Sequence, residues 1–110
     1  MLASRLVAIA CLLAACRDSD VSRAIGARCD SSDECDERCL LPGADYPGGM
    51  CTISCDNSGD CPGGTSCVAD EGACLFRCGG DADCRFLGDG WVCRERNGRP
   101  DGMVLVCRGA

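Results

Sequence analysis

The sequence predicts a small disulfide-rich fold of three tandem short β-hairpin modules, with little regular secondary structure besides an N-terminal signal helix. Fourteen of its 110 residues are cysteine and only four are aromatic. Twelve of the cysteines fall into three copies of a four-cysteine pattern, over residues 29–51, 55–74 and 78–107. A chain this short buries too little apolar area to offset its conformational entropy, and disulfides supply the missing stability.

Residues 1–15 have the composition of an export signal. Arg5 provides a positive charge, residues 6–13 form a short apolar run, and small residues follow. Because a membrane-spanning helix needs about 20 apolar residues, this run is too short to be a permanent anchor. We therefore interpret residues 1–15 as a cleaved signal peptide.

The four residues Leu13-Ala14-Ala15-Cys16 resemble the lipobox of bacterial lipoproteins. The resemblance implies cleavage before Cys16, followed by acylation of its thiol and of the new amino group. Cysteine parity agrees, because cleavage removes Cys11 and leaves thirteen cysteines, of which twelve can pair once Cys16 carries lipid. The alternative is an ordinary secretory signal, with Cys16 free or paired between molecules. Residues 16–28, which are mostly polar, are predicted to be the lipidated cysteine and a flexible tether.

The predicted location is the cell envelope, on its periplasmic or outer surface. Disulfides persist in these compartments, whereas the cytosol keeps thiols reduced. Each buried CH₂ of a lipid contributes about 0.8 kcal/mol, so several acyl chains would anchor the protein stably to a membrane. The membrane is therefore one expected partner.

The three modules share more than their cysteines. Each begins with a five-residue loop of turn-forming residues, and the last position of the loop is acidic in every copy: Glu34, Asp60 and Asp83. The first cysteines of successive modules are 26 and then 23 residues apart. Such a period predicts a linear array of small modules.

The second half of each module has the pattern of a β-hairpin. The predicted strands pair residues 38–41 with 50–53, 65–68 with 73–76, and 91–94 with 103–107. Asp70-Glu71-Gly72, Asn97-Gly98 and Asp101-Gly102 supply turn chemistry between them. Since isolated hairpins are marginal in water, we expect the cross-links to stabilise them.

The spacing Cys55-x5-Cys61-Pro62-x4-Cys67, with Asp60 before the second cysteine, resembles part of the whey-acidic-protein four-disulfide core. It is also similar to Dickkopf-type N-terminal segments and to tandem units of small bacterial lipoproteins. Four cysteines allow three pairings. The resemblance implies first-to-third and second-to-fourth bonds, which are Cys29–Cys39, Cys35–Cys51, Cys55–Cys67, Cys61–Cys74, Cys78–Cys93 and Cys84–Cys107. The adjacent cysteine pair of the whey-acidic family is absent, so its inhibitory loop does not carry over.

Several kinds of catalysis lack their residues in this chain. It contains no histidine and no lysine. A Ser-His-Asp triad, a Cys-His pair and a lysine Schiff base are therefore excluded, which leaves paired carboxylates as the remaining acid–base option. We predict a protein that is not an enzyme and has no cofactor.

The cysteine spacing also argues against a metal site. Structural zinc sites usually bring Cys-x2-Cys pairs or histidine, and the sequence has neither. The loop 56–60 has oxygen ligands suited to calcium but lacks the spacing and terminal glutamate of an EF-hand. Disulfide-closed turns explain both the cysteines and the acidic loops, so we expect no metal.

The formal net charge of −6 bears on the partner. Residues 29–84 hold twelve acidic residues and two arginines, which argues against nucleic acid. We predict a non-catalytic module that binds a protein or a glycan at the envelope. The alternatives are a peptidase inhibitor, suggested by the whey-acidic-like stretch, and a passive structural component. An exposed patch that contains Trp91, Phe86 or Phe76 would favour a binding face over a passive component.

Overall fold

The computed structural model describes residues 21–100 and 102–110, so the predicted signal helix and Cys16 lie outside the described residues. The described chain contains six strands: β1 (Arg38–Leu40), β2 (Met50–Thr52), β3 (Thr65–Val68), β4 (Ala73–Phe76), β5 (Trp91–Gly98) and β6 (Gly102–Gly109). Short 3₁₀ turns precede the hairpins, at Ser32–Glu34, Ser58–Asp60 and Asp81–Leu87. The small disulfide-rich fold with short β-hairpins is confirmed. In this described part of the chain, no helix has the length and apolar character needed to cross a membrane.

The strands form one hairpin per module and two antiparallel sheets. One sheet contains β1 and β2, and the other has the order β4-β3-β5-β6. The bounds of β3 and β4 are those that the sequence predicts. Strands β5 and β6 are longer than predicted, because their pairing continues to Gly98 and Gly102 at the tip. Gly102 adopts a positive φ of 73°, a conformation that glycine tolerates without steric cost.

Two disulfides attach the first loop of each module to its hairpin. The third and fourth cysteines are opposite each other across the two strands: Cys39 and Cys51, Cys67 and Cys74, Cys93 and Cys107. Directly paired residues point to the same face of a hairpin. Both therefore face the loop, and they bond to its two cysteines with first-to-third and second-to-fourth pairing. This is the connectivity that the resemblance implied.

The three modules share one hydrophobic core. It combines residues from module 1, module 2 and module 3: Leu40, Tyr46, Met50, Val68, Ala73, Leu75, Cys84, Leu87, Trp91, Val106 and Cys107. Backbone pairing also crosses the module boundaries, since Val68 pairs with Gly98 and Arg77 forms a bridge with Val106. Disulfide pairs confined to each module thus coexist with an interior that all three modules share.

Residues 21–28 pack against the body of the protein. Ile25 is buried beside Cys55, Cys67 and Cys74. The amide of Gly26 donates to the carbonyl of Cys51 at 2.8 Å, and the amide of Cys51 donates to the carbonyl of Ala27 at 2.7 Å. The flexible tether predicted over residues 16–28 is therefore corrected, because its second half is held by hydrogen bonds and apolar burial.

Candidate binding surface

The repeated acidic residue of each module closes the first loop. Its carboxylate accepts a hydrogen bond from the backbone amide of the residue after the first cysteine. The bonds run from Asp30 N to Glu34 Oε1 (3.0 Å), from Asp56 N to Asp60 Oδ2 (3.0 Å) and from Gly79 N to Asp83 Oδ2 (2.7 Å). These carboxylates satisfy turn amides, which gives the repeated acidic position a structural reason.

The cysteines bring sulfur atoms close together without providing free thiolates. In each module three Sγ atoms lie within 4.8 Å of one another: those of Cys29, Cys35 and Cys51, of Cys55, Cys61 and Cys74, and of Cys78, Cys84 and Cys107. Every one of these cysteines is disulfide-bonded. A metal is ligated by the thiolate form of cysteine, and a disulfide sulfur is not a thiolate. The sulfur atoms are therefore close because the two disulfides of each module lie side by side.

Trp91 belongs to the core and not to a binding face. Its side chain is only 4% exposed, and its indole Nε1–H donates to the carbonyl of Pro47 at 2.8 Å. Phe76 is partly buried and Phe86 is 48% exposed, with the two rings edge to face at a centroid distance of 5.0 Å. The hypothetical patch of three aromatic residues therefore reduces to the two phenylalanines.

The most exposed loop with an apolar side chain connects β1 to β2. Residues 41–45 are all exposed, and we call them the 41–45 loop. Leu41 is 63% exposed, more than the other large hydrophobic side chains exposed in the described chain. The next residue, Tyr46, is buried. The chain thus rises from the core at Leu40 and returns to it at Tyr46.

Hydrogen bonds hold the 41–45 loop at its C-terminal end. Tyr46 accepts from the amides of Gly43 (3.3 Å) and Gly49 (2.9 Å) at its carbonyl. The carbonyl of Asp45 accepts from the amide of Gly109 at 2.6 Å. A Cβ atom on Gly109 would overlap the carbonyl oxygen of Ala44, so only glycine permits this close approach of the two chain segments.

Side chains of module 3 hold the same loop. Arg108 Nη2 donates to Asp45 Oδ1 at 2.6 Å, and the arginine side chain is only 10% exposed. The Arg108 guanidinium carbon lies 5.9 Å from the centroid of the Tyr46 ring, a distance suited to a cation–π contact. The Tyr46 ring is also 6.2 Å from that of Trp91. The C-terminal end of the loop is therefore supported by groups that are distant in sequence.

The environment of Tyr46 keeps its hydroxyl neutral. Burial is the largest cause and the Glu71 carboxylate the next, and both raise the pKa of the phenol above its ordinary value. Arg108 acts in the opposite direction but does not offset them. The residue is a neutral structural support for the loop at physiological pH.

Exposed carboxylates precede the 41–45 loop in module 1. Asp30, Asp33, Asp36 and Glu37 are all exposed. Asp36 lies 3.9 Å from Arg23, but both side chains are 64% exposed, so this ion pair adds little stability. The module therefore presents mostly uncompensated negative charge.

Comparisons of the chain with protein-family models, with curated proteins and with solved structures found no match. The geometry of the chain itself offers a supported loop with one apolar side chain, and carboxylates in the same module. In the sequence, only Pro42-Gly43 indicates a turn within this loop. Its supports, Trp91 and Arg108, carry no local signal, because they act 44 and 63 residues away from their partners.

Proposed function

We propose that this protein is a membrane-anchored, extracytoplasmic lipoprotein whose folded body is a non-catalytic module that binds a protein or a glycan at the cell envelope. The observation that carries the binding role is the 41–45 loop. Binding residues are often found on loops that a rigid scaffold positions. This loop is exposed, yet its C-terminal end is hydrogen-bonded both within module 1 and to Arg108 and Gly109 at the end of β6.

A supported loop favours affinity because little conformational entropy remains to be lost on binding. Ordering one residue costs about 1–2 kcal/mol, so a loop that is already held at its C-terminal end avoids part of this penalty. Leu41 would bury apolar area against its partner, and the acidic residues of module 1 would favour a partner with positive charge.

The anchor is supported by the use of cysteine. All twelve cysteines from Cys29 to Cys107 form disulfides within their own modules. Cys16 is then the cysteine that remains in a chain cleaved at the lipobox, and acylation would consume its thiol. Intact-mass analysis of the protein from its native host tests this point. A mass without acyl groups would contradict the anchor.

Affinity capture from envelope extracts tests the binding role, with three versions of the folded mature chain as bait. We expect a component that is retained by the unchanged protein and by the Met103→Glu control but lost with Leu41→Glu. Both substitutions place the same charge on an exposed apolar residue. Equal retention by all three baits would contradict a role for the 41–45 loop.

Peptidase inhibition is a second candidate, favoured by the position of Leu41. This exposed side chain follows disulfide-bonded Cys39 by two residues, on a loop tied to the body. A peptidase would meet a substrate-like side chain on a segment that resists the distortion needed for cleavage. An inhibition assay against a panel of peptidases separates the two functions. Inhibition that Leu41→Glu abolishes would favour the inhibitor.

A further inference from the structure

The first described residue, Val21, lies beside a pair of aromatic residues, of which Phe76 is partly buried and Phe86 is exposed. A Cβ atom built on Gly26 would be 3.2 Å from Cε2 of Phe76 and 3.3 Å from Cα of Val21. Gly26 has a φ of 100°, and its missing side chain lets the Val21 backbone and the Phe76 ring approach each other. The Phe76 ring in turn contacts the exposed ring of Phe86. The chain therefore enters the folded body next to these two phenylalanines.

Arginines flank this pair in a chain whose net charge is negative. Arg77 follows Phe76, Arg85 precedes Phe86, and both arginines are exposed. Among the described residues, neither arginine forms an ion pair, since the salt bridges there involve Arg23 and Arg108. The two arginines beside the phenylalanines are therefore free of ion pairs within the described part of the chain, although Asp81 and Asp83 are exposed on the same 3₁₀ helix as Arg85.

We propose that Val21, Phe76, Arg77, Arg85 and Phe86, which we call the aromatic patch, rest on the membrane surface. The inference rests on the proposed lipid anchor at Cys16. Val21 follows Cys16 by five positions, and an extended chain of that length spans at most about 18 Å. An anchor on Cys16 therefore holds the aromatic patch close to the lipid headgroups.

The chemistry of the aromatic patch suits a membrane that contains anionic lipids. Apolar and aromatic side chains lie favourably at the boundary between headgroups and acyl chains. An arginine near an anionic surface is attracted to it, and this attraction decays within a Debye length. Because the whole chain is acidic, the patch would orient an anchored protein and would not recruit it alone. The Gly98–Gly102 hairpin tip, where the amide of Arg99 donates to the carbonyl of Cys67 at 3.0 Å, is not part of the aromatic patch and supplies a comparison.

Quenching by brominated lipid tests this orientation. With the twelve other cysteines paired, Cys16 of the mature chain can be coupled to a maleimide lipid, which supplies the anchor independently of natural acylation. Phe86→Trp places a reporter in the patch, and Trp91 contributes a buried background. Met103→Trp is the matched control, because Met103 is 58% exposed and pairs with Asn97 near the hairpin tip. The vesicles contain phosphatidylcholine and phosphatidylglycerol with brominated acyl chains.

We expect loss of emission and a blue shift for Phe86→Trp, and both changes should exceed those for Met103→Trp. Mass analysis of six intact disulfides and vesicle flotation verify that both proteins are folded and bound. Unquenched emission of Phe86→Trp on floated vesicles would overturn the inference, as would equal quenching of both variants. Since coupling replaces natural acylation, neither result depends on the proposed anchor. Failure of that anchor appears separately, in the mass of the native protein.

Discussion

Replacing Met50 by alanine tests whether the three modules unfold as one unit. Met50 lies on β2 of module 1, has no solvent exposure and belongs to the core that also contains Leu75 and Val106. Truncation of a fully buried methionine removes transfer free energy and leaves a cavity, at a cost of about 2–5 kcal/mol. A loss of about 3 kcal/mol increases the unfolded fraction roughly a hundred-fold, because 1.4 kcal/mol corresponds to a factor of ten.

Amide hydrogen exchange, followed by mass spectrometry with the disulfides intact, locates this loss. The shared core predicts that protection in β5 and β6 falls by the same roughly hundred-fold factor as protection in β1 and β2. Leu41→Ala is the control in the same module. Leu41 is mostly exposed, so its removal should change the free energy of unfolding by less than about 0.5 kcal/mol.

A local loss of protection after Met50→Ala would refute the shared core. If Met50→Ala lowered protection in residues 29–51 while β5 and β6 kept theirs, each module would be stable independently. The disulfides would then be sufficient to stabilise a module, and the contacts among the modules would contribute little to stability.

Three further predictions concern the turns, the core and the cross-links. Asp60→Ala removes a carboxylate that accepts hydrogen bonds from the amides of Asp56 and Asn57. It should lower the free energy of unfolding, measured by thermal denaturation, by about 1 kcal/mol, and Asp56→Ala should lower it less. Tyr46 is the single tyrosine, and in the reduced, unfolded chain its phenol should ionise at about pH 10. In the folded protein the raised pKa should keep it un-ionised at that pH. Because the folded pKa is raised, stability is fully present below about pH 10 and falls as the pH increases further; ultraviolet titration that shows ordinary ionisation in the folded state would contradict this. Strong reductant should abolish the circular dichroism of the fold and its resistance to proteolysis, and an unchanged spectrum would refute the structural role of the disulfides.

Local features of this fold are predictable from sequence. The bounds of β3 and β4 follow from the strand pattern on both sides of Asp70-Glu71-Gly72, because turn chemistry acts between neighbouring residues. The five-residue loops follow from turn-forming residues in the same way. The acidic residue at the end of each loop bonds four positions back, so its role is local as well.

Contacts between modules are not predictable in this way. The sequence offered Trp91 as a candidate for an exposed face, but this residue packs against Tyr46 and donates to Pro47. A large aromatic residue carries the same local signal whether it is buried or exposed. The exposure of Leu41 is equally invisible, because β1 contains only three residues and its alternation is too short to separate Leu40 inside from Leu41 outside.

The 41–45 loop depends on module 3 because that module supplies the groups that hold it. Replacing Arg108 by methionine keeps much of the buried aliphatic volume but removes the bond to Asp45. Since the Asp45 carboxylate is largely exposed, we expect a cost of about 1–2 kcal/mol and faster amide exchange in the chain just after the loop, at Gly49.

Arg99→Met is the matched control for this substitution. Arg99 is exposed near the hairpin tip, where its side chain donates to the carbonyl of Ala69. The Arg99→Met substitution removes the same charge and one side-chain hydrogen bond, yet it should leave amide exchange near the 41–45 loop unchanged. Equal acceleration by the two variants would mean that net charge, and not the contact with Asp45, controls the loop. The proposed binding would then depend on more than module 1, because part of the support for the exposed residues comes from Arg108 and Gly109 at the end of β6.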